Sequence, residues 1–318
     1  MRTSPPTLEH GAPTALDTPA RPLIAAPAIA FRHVSLAFDD AVILHDVTFD
    51  VADGEMATLL GPSGSGKSLI LRLALGLLPP DAGSIEIYGQ PIERLDDAAL
   101  VRVRDQIGML FQESALFDSL TVEENVGFKL QDRRRLDAHA IRARVDDVLR
   151  FVGLDGLGDR LPAHLSGGQR RRVAIARAIA GGPRLLLLDD PTVGLDPITA
   201  KTVIAEVIKL RDLQHVSVLA VTHQLQDAFF IATHEALLHG TEVRIRRRES
   251  RVAGQAHFIV LRDGAISFDG TARGLMQSDD PWVVASRAGW VPPLTLDERA
   301  DGLVRDQPSR QLKAPAAV

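Results

Sequence analysis

The sequence predicts an α/β fold in which a parallel sheet forms the core, an antiparallel β portion precedes it and a helical lobe is inserted into it. Three observations predict this. Short apolar runs rich in β-branched residues recur along the chain, which is the mark of buried strands. The run Met56–Leu60 leads through a glycine-rich stretch into a helical pattern. Residues 116–158 alternate helical patterns with polar turns and offer no convincing strand.

The elements follow in order. Residues 1–28 are rich in Pro, Ala and Thr, carry no basic start followed by an apolar run, and are expected to be a disordered tail. Ile29–Phe38 and 42–51 flank Asp39-Asp40 and read as an antiparallel hairpin. A strand at Met56–Leu60 precedes a helix expected over 67–77. Strands are expected at 84–88 and 106–111, and the helical lobe at about 113–165. Apolar positions Val173, Ile175, Ala176, Ala178 and Ile179 fit a helix over 167–180. The runs 184–188 and 216–221 are continuous enough for strands buried on both faces. A helix follows, and then a hairpin over 258–261 and 266–268 turns at Asp263-Gly264. Residues 276–318, with Trp282, Trp290 and Pro292-Pro293, are expected to form a C-terminal extension whose partner is undisclosed.

Composition narrows the function. At 318 residues and 45% hydrophobic the chain can bury a large core without metals or disulfides. A net charge of −5 argues against dependence on a phosphate backbone, so no nucleic-acid partner is expected, although local basic runs exist at 133–135 and 246–248. With no cysteine, disulfide frameworks, thiolate metal sites and thiol nucleophiles are excluded, and a reducing compartment fits. No segment reaches the roughly 18 apolar residues that cross a bilayer, so any membrane span must come from another chain.

The chemistry is concentrated in three places. Gly61-Pro62-Ser63-Gly64-Ser65-Gly66-Lys67-Ser68 matches the phosphate-binding pattern G-x-x-x-x-G-K-[ST], with the strand before it and the helix after it that the pattern needs. Backbone N–H groups must turn inward against phosphate oxygens, which glycine permits, and the helix N-terminus adds partial positive charge. Lys67 is expected to neutralise the β and γ phosphates, and the Ser68 hydroxyl to reach Mg²⁺. Ser166 is a good N-cap before Gly167 and Gly168, exposing a second helix end where an anion could sit. Alone, that stretch also reads as an ordinary capped helix with the arginines at 170–172 as its solvated face. At 185–188 a buried strand ends on Asp189, a carboxylate placed to hold the Mg²⁺ shell.

With these motifs present together, the chain resembles the ATP-binding-cassette family over about residues 29–275. Leu165-Ser166-Gly167-Gly168-Gln169 matches that family's signature sequence. The resemblance implies a P-loop NTPase core with an antiparallel β subdomain and an inserted α-helical subdomain, binding ATP and Mg²⁺. It implies a second copy of this chain, paired head to tail, with each ATP between Lys67 of one copy and Ser166 of the other. It gives Gln112 the sensing of Mg²⁺, His223 a γ-phosphate contact, Asp196 a contact with the opposite site and Phe38 adenine stacking. Asp190 stands where the family usually has glutamate as the base that orients water, and is one methylene shorter.

Within the family, residues 115–122 with Glu124-Asn125-Val126 are similar to the ATPases of lipid-asymmetry-type phospholipid transporters, which work with mammalian-cell-entry proteins; Asp196-Pro197-Ile198-Thr199 points the same way. An integral membrane permease is thus the expected partner, at the cytoplasmic face of the inner membrane. The alternatives are a soluble cassette ATPase acting on nucleic acid or ribosomes, and a weakly hydrolysing regulatory subunit. Residues 239–256 depart from the pattern as a basic insertion carrying Arg244, Arg246, Arg247, Arg248 and Arg251, expected to be an added edge strand or a basic loop. Its charges read as solvated, with anionic lipid headgroups or a partner as the other reading.

Overall fold

The computed structural model describes residues 26–39, 41–131, 137–239, 242–248 and 256–288. Residues 1–25, Asp40, the arginines at 133–135, Arg251, Trp290 and Pro292-Pro293 lie outside the described residues.

The chain opens with β1 (Ile29–Phe38) and β2 (Ala41–Val51), paired antiparallel. After β3 (Met56–Leu60) and α1 (Lys67–Ala74), β4 (Ala82–Ile87) joins the free side of β1, and β5 (Gln90–Pro91) closes a sheet of order β2-β1-β4-β5. The helix α1 stops earlier than expected, because Gly76 turns the chain at φ 61°. Then come α2 (Asp97–Asp105) and β6 (Ile107–Leu110). The helical lobe holds α3 (Val122–Gln131) and α4 (Ala138–Phe151), and α5 (Gly167–Ala180) returns the chain to the sheet at β7 (Leu185–Asp189).

The second half alternates α6 (Pro197–Gln214), β8 (Ser217–Thr222) and α7 (Leu225–Thr233), followed by β9 (His234–His239) and β10 (Glu242–Arg247). It finishes with β11 (His257–Arg262), β12 (Ala265–Thr271), α8 (Ala272–Gln277) and α9 (Pro281–Arg287). The main sheet has order β12-β11-β3-β8-β7-β6, with β12 alone antiparallel to its neighbour.

The leucines of β7 show why this sheet is central. Leu185 and Leu187 face one core cluster with Ile70, Leu71 and Leu219, and Leu186 and Leu188 face the other with Val148, Val173 and Val207. All four are fully buried, so the strand needs no polar face and its run is unbroken. Truncating one to alanine costs about 2–5 kcal/mol.

Two expectations are corrected. The stretch at 239–256 does not add to the edge of the main sheet: β10 pairs with β9 in a separate two-stranded sheet. Val243 and Ile245 pack on Ile204 and Ile208 of α6, so the alternation serves a buried face. Three of its arginines are paired, Arg244 with Glu242 at 3.2 Å, Arg246 with Glu235 at 2.8 Å and Arg248 with Asp212 at 2.8 Å, the first two while still exposed to solvent. A boundary at 275 also fails, since it cuts α8, and Val283 is buried with Phe229 and Phe258.

At the amino edge of the sheet, His257 lies between Glu55 (3.0 Å) and Asp269 (2.8 Å). Burial would lower its pKa, but the bonds and charges of the two carboxylates outweigh that and raise it to about 9.

Candidate active site

Parallel strands deliver their carboxyl ends to one edge, where an open α/β sheet binds ligands. In spatial order β3, β8, β7 and β6 bring there the loop 61–66, His223, Asp189 with Asp190, and Gln112. Residues far apart in sequence meet as a result.

At the mouth of β3, Gly66 caps α1 at φ 98°, a conformation that L side chains resist, and no side chain takes the first-turn N–H groups. Lys67 is buried, and its Nζ donates to the carbonyls of Gly61 (2.9 Å) and Pro62 (2.7 Å). Burial lowers its pKa, and the charges of Asp190 and Asp189 pull it back upward. Ser65 Oγ is buried in the same loop with no hydrogen-bond partner. A cradle of uncapped N–H groups, an orphaned hydroxyl and a buried ammonium fits a bound phosphate chain.

Ser68 Oγ donates to Asp189 Oδ1 at 3.0 Å. This pair of hard oxygens, beside where phosphates would lie, fits Mg²⁺, which takes one or two protein oxygens and completes its shell with phosphate and water. Burial raises the pKa of Asp189, while the Ser68 bond opposes the rise.

Asp190 follows with φ 42°, and its N–H donates to Val221 O at 2.9 Å. Its Oδ1 lies 3.0 Å from His223 Nδ1 and accepts from His223 N at 3.3 Å. Two residues on, the buried Thr192 hydroxyl donates to Asp227 in the first turn of α7, and burial raises the Asp227 pKa. The Asp190 carboxylate is thereby held beside a histidine whose ring is about one-third exposed.

The remaining expected residues form a second grouping. Ser166 and Gln169 make a complete capping box at the start of α5, with bonds of 3.2 and 2.9 Å. A Cβ on Gly168 would lie 2.2 Å from Thr199 Cγ2, so any larger residue there would have to displace the Thr199 side chain at the start of α6. There Asp196 caps α6 through the N–H groups of Ile198 and Thr199, at 3.1 Å each. Gln112 enters through its backbone carbonyl, its side chain being exposed, and Phe38 is exposed at the end of β1.

Sequence reasoning missed α6, although Asp196-Pro197 is an N-cap with proline at the first helical position, a start signal it could have used. It also missed Asp227 and Arg171. The arginine triplet is not a uniform solvated face: Arg171 is buried. It lies three and four residues before the buried Ala174 and Ile175, so the helical period already placed it inward.

The loop, the hard-oxygen pair and the held carboxylate define the class, a P-loop ATPase. The family model for ABC transporters matches residues 44–193. The dimeric ATP-binding cassette MJ0796, solved in a post-hydrolysis state with ADP and Pi, is 30% identical; the alignment covers 77% of this chain and 99% of that one, with a TM-score of 0.64. CbiO1 from Clostridium perfringens, 23% identical with a TM-score of 0.66, shares the fold over 82% of this chain and 94% of its own. The chain belongs to the ABC transporter family, as an ATP-binding cassette.

Among curated relatives, the sulfate/thiosulfate import ATP-binding protein CysA of Synechocystis sp. is 44% identical over 64% of this chain and 56% of its own length. Its namesake in Mycobacterium tuberculosis strain H37Rv is 43% identical over 67% of this chain and 59% of its own. The chain thus spans little more than half the length of these relatives. Among the described residues, no helix is long and apolar enough to cross a membrane.

Proposed function

We propose that this chain is the ATP-hydrolysing subunit of an ABC transporter, acting as a head-to-tail pair at the cytoplasmic face of the inner membrane. The observation that carries the catalytic part is the meeting of Lys67, Ser68, Asp189, Asp190 and His223 at one sheet edge. Lys67 holds the β and γ phosphates, and Ser68 and Asp189 hold Mg²⁺, with Gln112 completing its sensing. Mg²⁺ supplies charge neutralisation at those phosphates when bound. Asp190 orients the attacking water, and His223 keeps its carboxylate in place while facing the γ-phosphate. Residues 61–68 cradle the phosphates, Phe38 stacks on adenine, and Ser166, Gly167, Gly168, Gln169 and Asp196 serve the nucleotide of the second copy. Phosphate release from the purified chain, lowered by about 100-fold or more in Lys67→Ala, tests this assignment.

The permease surface is read from the lobe. A groove of about 390 Å³ opens between β6, α3 and α5, lined by Phe111, Phe117, Phe128, Lys129 and Arg177. The rings of Phe117 and Phe128 meet at 4.6 Å, tilted to one another, and both stay more than 40% exposed. Asn125, fully buried, fixes the loop beneath them by bonding Phe117 N–H at 2.8 Å and the carbonyls of Phe117, Leu120 and Thr121 at 3.0 Å each. A rigid, exposed apolar lip beside the Gln112 turn suits a permease helix that must feel nucleotide state. Phe117→Glu is expected to abolish recovery of an integral membrane protein with the tagged chain from native membranes, leaving phosphate release intact.

For cargo, residues 115–126 and 196–199 support phospholipid or a related lipid, with a mammalian-cell-entry protein as a further partner. The names of the curated relatives favour a second reading, sulfate or thiosulfate import. The chains and lipids that copurify from native membranes separate the two: a mammalian-cell-entry protein with bound phospholipid supports the first, and sulfate-stimulated ATP turnover of the complex the second.

A further inference from the structure

We infer that Arg171 is a positioning residue for ATP hydrolysis, holding the Gln112 turn and the Asp189–Pro191 turn at one fixed spacing from within α5; this rests on the ATPase reading above. Its Nε donates to Pro191 O at 2.8 Å. Nη1 donates to Phe111 O at 2.5 Å and Gln112 O at 2.8 Å. Nη2 donates to Asp189 O at 3.1 Å and Asp190 O at 2.6 Å. The guanidinium has five N–H donors, and all five are used.

This is an unusual employment of a buried cation. Its partners are five carbonyls, and they come from the ends of two neighbouring strands, β6 and β7. Burial lowers its pKa to about 10 while Asp189 and Asp190 oppose the fall, so it remains charged at neutral pH. A lysine could keep the charge but has three donors and no plane, so it could not span both turns.

The two turns carry the residues assigned to Mg²⁺ and water. Asp190 is held in left-handed backbone, a state that persists only when its surroundings over-determine it. The Arg171 bond to its carbonyl and the Val221 bond to its N–H supply that restraint. Arg171 also lies on the helix that Ser166 caps, so a displacement of α5 by a nucleotide at Ser166 would carry both turns with it. One side chain therefore ties the grip on the opposite nucleotide to the water-orienting carboxylate of its own.

The test is a kinetic cycle of Arg171→Lys, Asp190→Asn and the double variant, with phosphate release normalised to ATP-binding-competent protein and read well below each melting midpoint. Arg171→Lys is expected to keep ATP affinity within about twofold and lose about 100-fold in kcat, the scale of an ångström misplacement. Because Arg171 acts through Asp190, the double variant is expected to lose little beyond Asp190→Asn alone, whereas an independent structural defect would multiply. Arg171→Gln, with two donors, provides a second folded comparator. A kcat within about threefold of native, multiplying losses, or failure of both substitutions to give ATP-binding protein would overturn the proposal. Absence of phosphate release from the native chain would instead sink the underlying ATPase reading.

Discussion

Two helices of this chain begin at glycine-containing turns assigned to phosphate, and they begin in opposite ways. The first, α1, starts on a left-handed Gly66 and leaves its first-turn N–H groups without a side-chain acceptor. The second, α5, closes on itself, with Ser166 and Gln169 each satisfying the other's backbone. The first also has a buried lysine, whereas Ser166 is exposed. An open, charged end awaits an external anion within its own chain. A closed, solvated end is stable alone, and in the proposed function it would become a ligand only when another molecule brings phosphate to it. On the function proposed above, this difference would let one chain carry two anion sites without binding two nucleotides tightly.

The largest expected effect breaks the comparison at its open end. Lys67→Ala is expected to lower phosphate release by about 100-fold to 1,000-fold and to abolish the thermal stabilisation that MgATP confers. If the full ATP-induced shift survived, the open end would not be the primary phosphate site.

Next is Asp190, which lies between the two ends through its bond to the Arg171 guanidinium. Asp190→Asn is expected to keep ATP binding, accumulate a closed dimer on size exclusion and lose about 100-fold or more in phosphate release, whereas Asp190→Glu should turn over at least as fast as native. Unchanged release in Asp190→Asn would hand the water to another group, His223 first.

His257 provides a contrast remote from both helix ends. Its pKa is raised in the folded chain, so its contribution is fully present below the unfolded value near 6.5 and is lost as pH rises through about 9. Allowing for solvent around Glu55 and Asp269, about 2 kcal/mol should disappear over that window. Denaturation midpoints at pH 6 and pH 9.5 measure it, and His257→Gln should flatten the difference while leaving ATP affinity alone. A pH slope that persisted in that variant would place the titration elsewhere.

The smallest effect concerns the closed end. Ser166→Ala removes one half of a capping box and should cost about 1 kcal/mol of folding stability in denaturant. No such cost is expected at Gly66, which has no cap to lose. A Ser166→Ala variant as stable as native would mean the capping box contributes nothing in solution.

Features that depend on neighbours in sequence were legible beforehand. The loop 61–68, the Ser166 cap, the unbroken leucines of β7 and the hairpin turn at Asp263-Gly264 are local, and backbone preference together with side-chain period specifies them. Asp196-Pro197 was legible too, though it was taken for its resemblance and its helix start went unused. Contacts across the sheet were not. Ser68 and Asp189 are 121 residues apart, and His223 and Asp190 are 33 apart. Their meeting depends on the order β3-β8-β7-β6, which no local pattern encodes.

By itself, then, the sequence determined which turns could grip phosphate, because that needs only glycines, a cap and a lysine at fixed spacing. Tertiary structure decided which charges are solvated and which are structural. Arg171 and Arg248 look alike in a list of basic runs, yet one spans two strand ends and the other pairs with Asp212 beneath a hairpin. A charge's role follows from its desolvation and its partners, and both are set by elements distant along the chain.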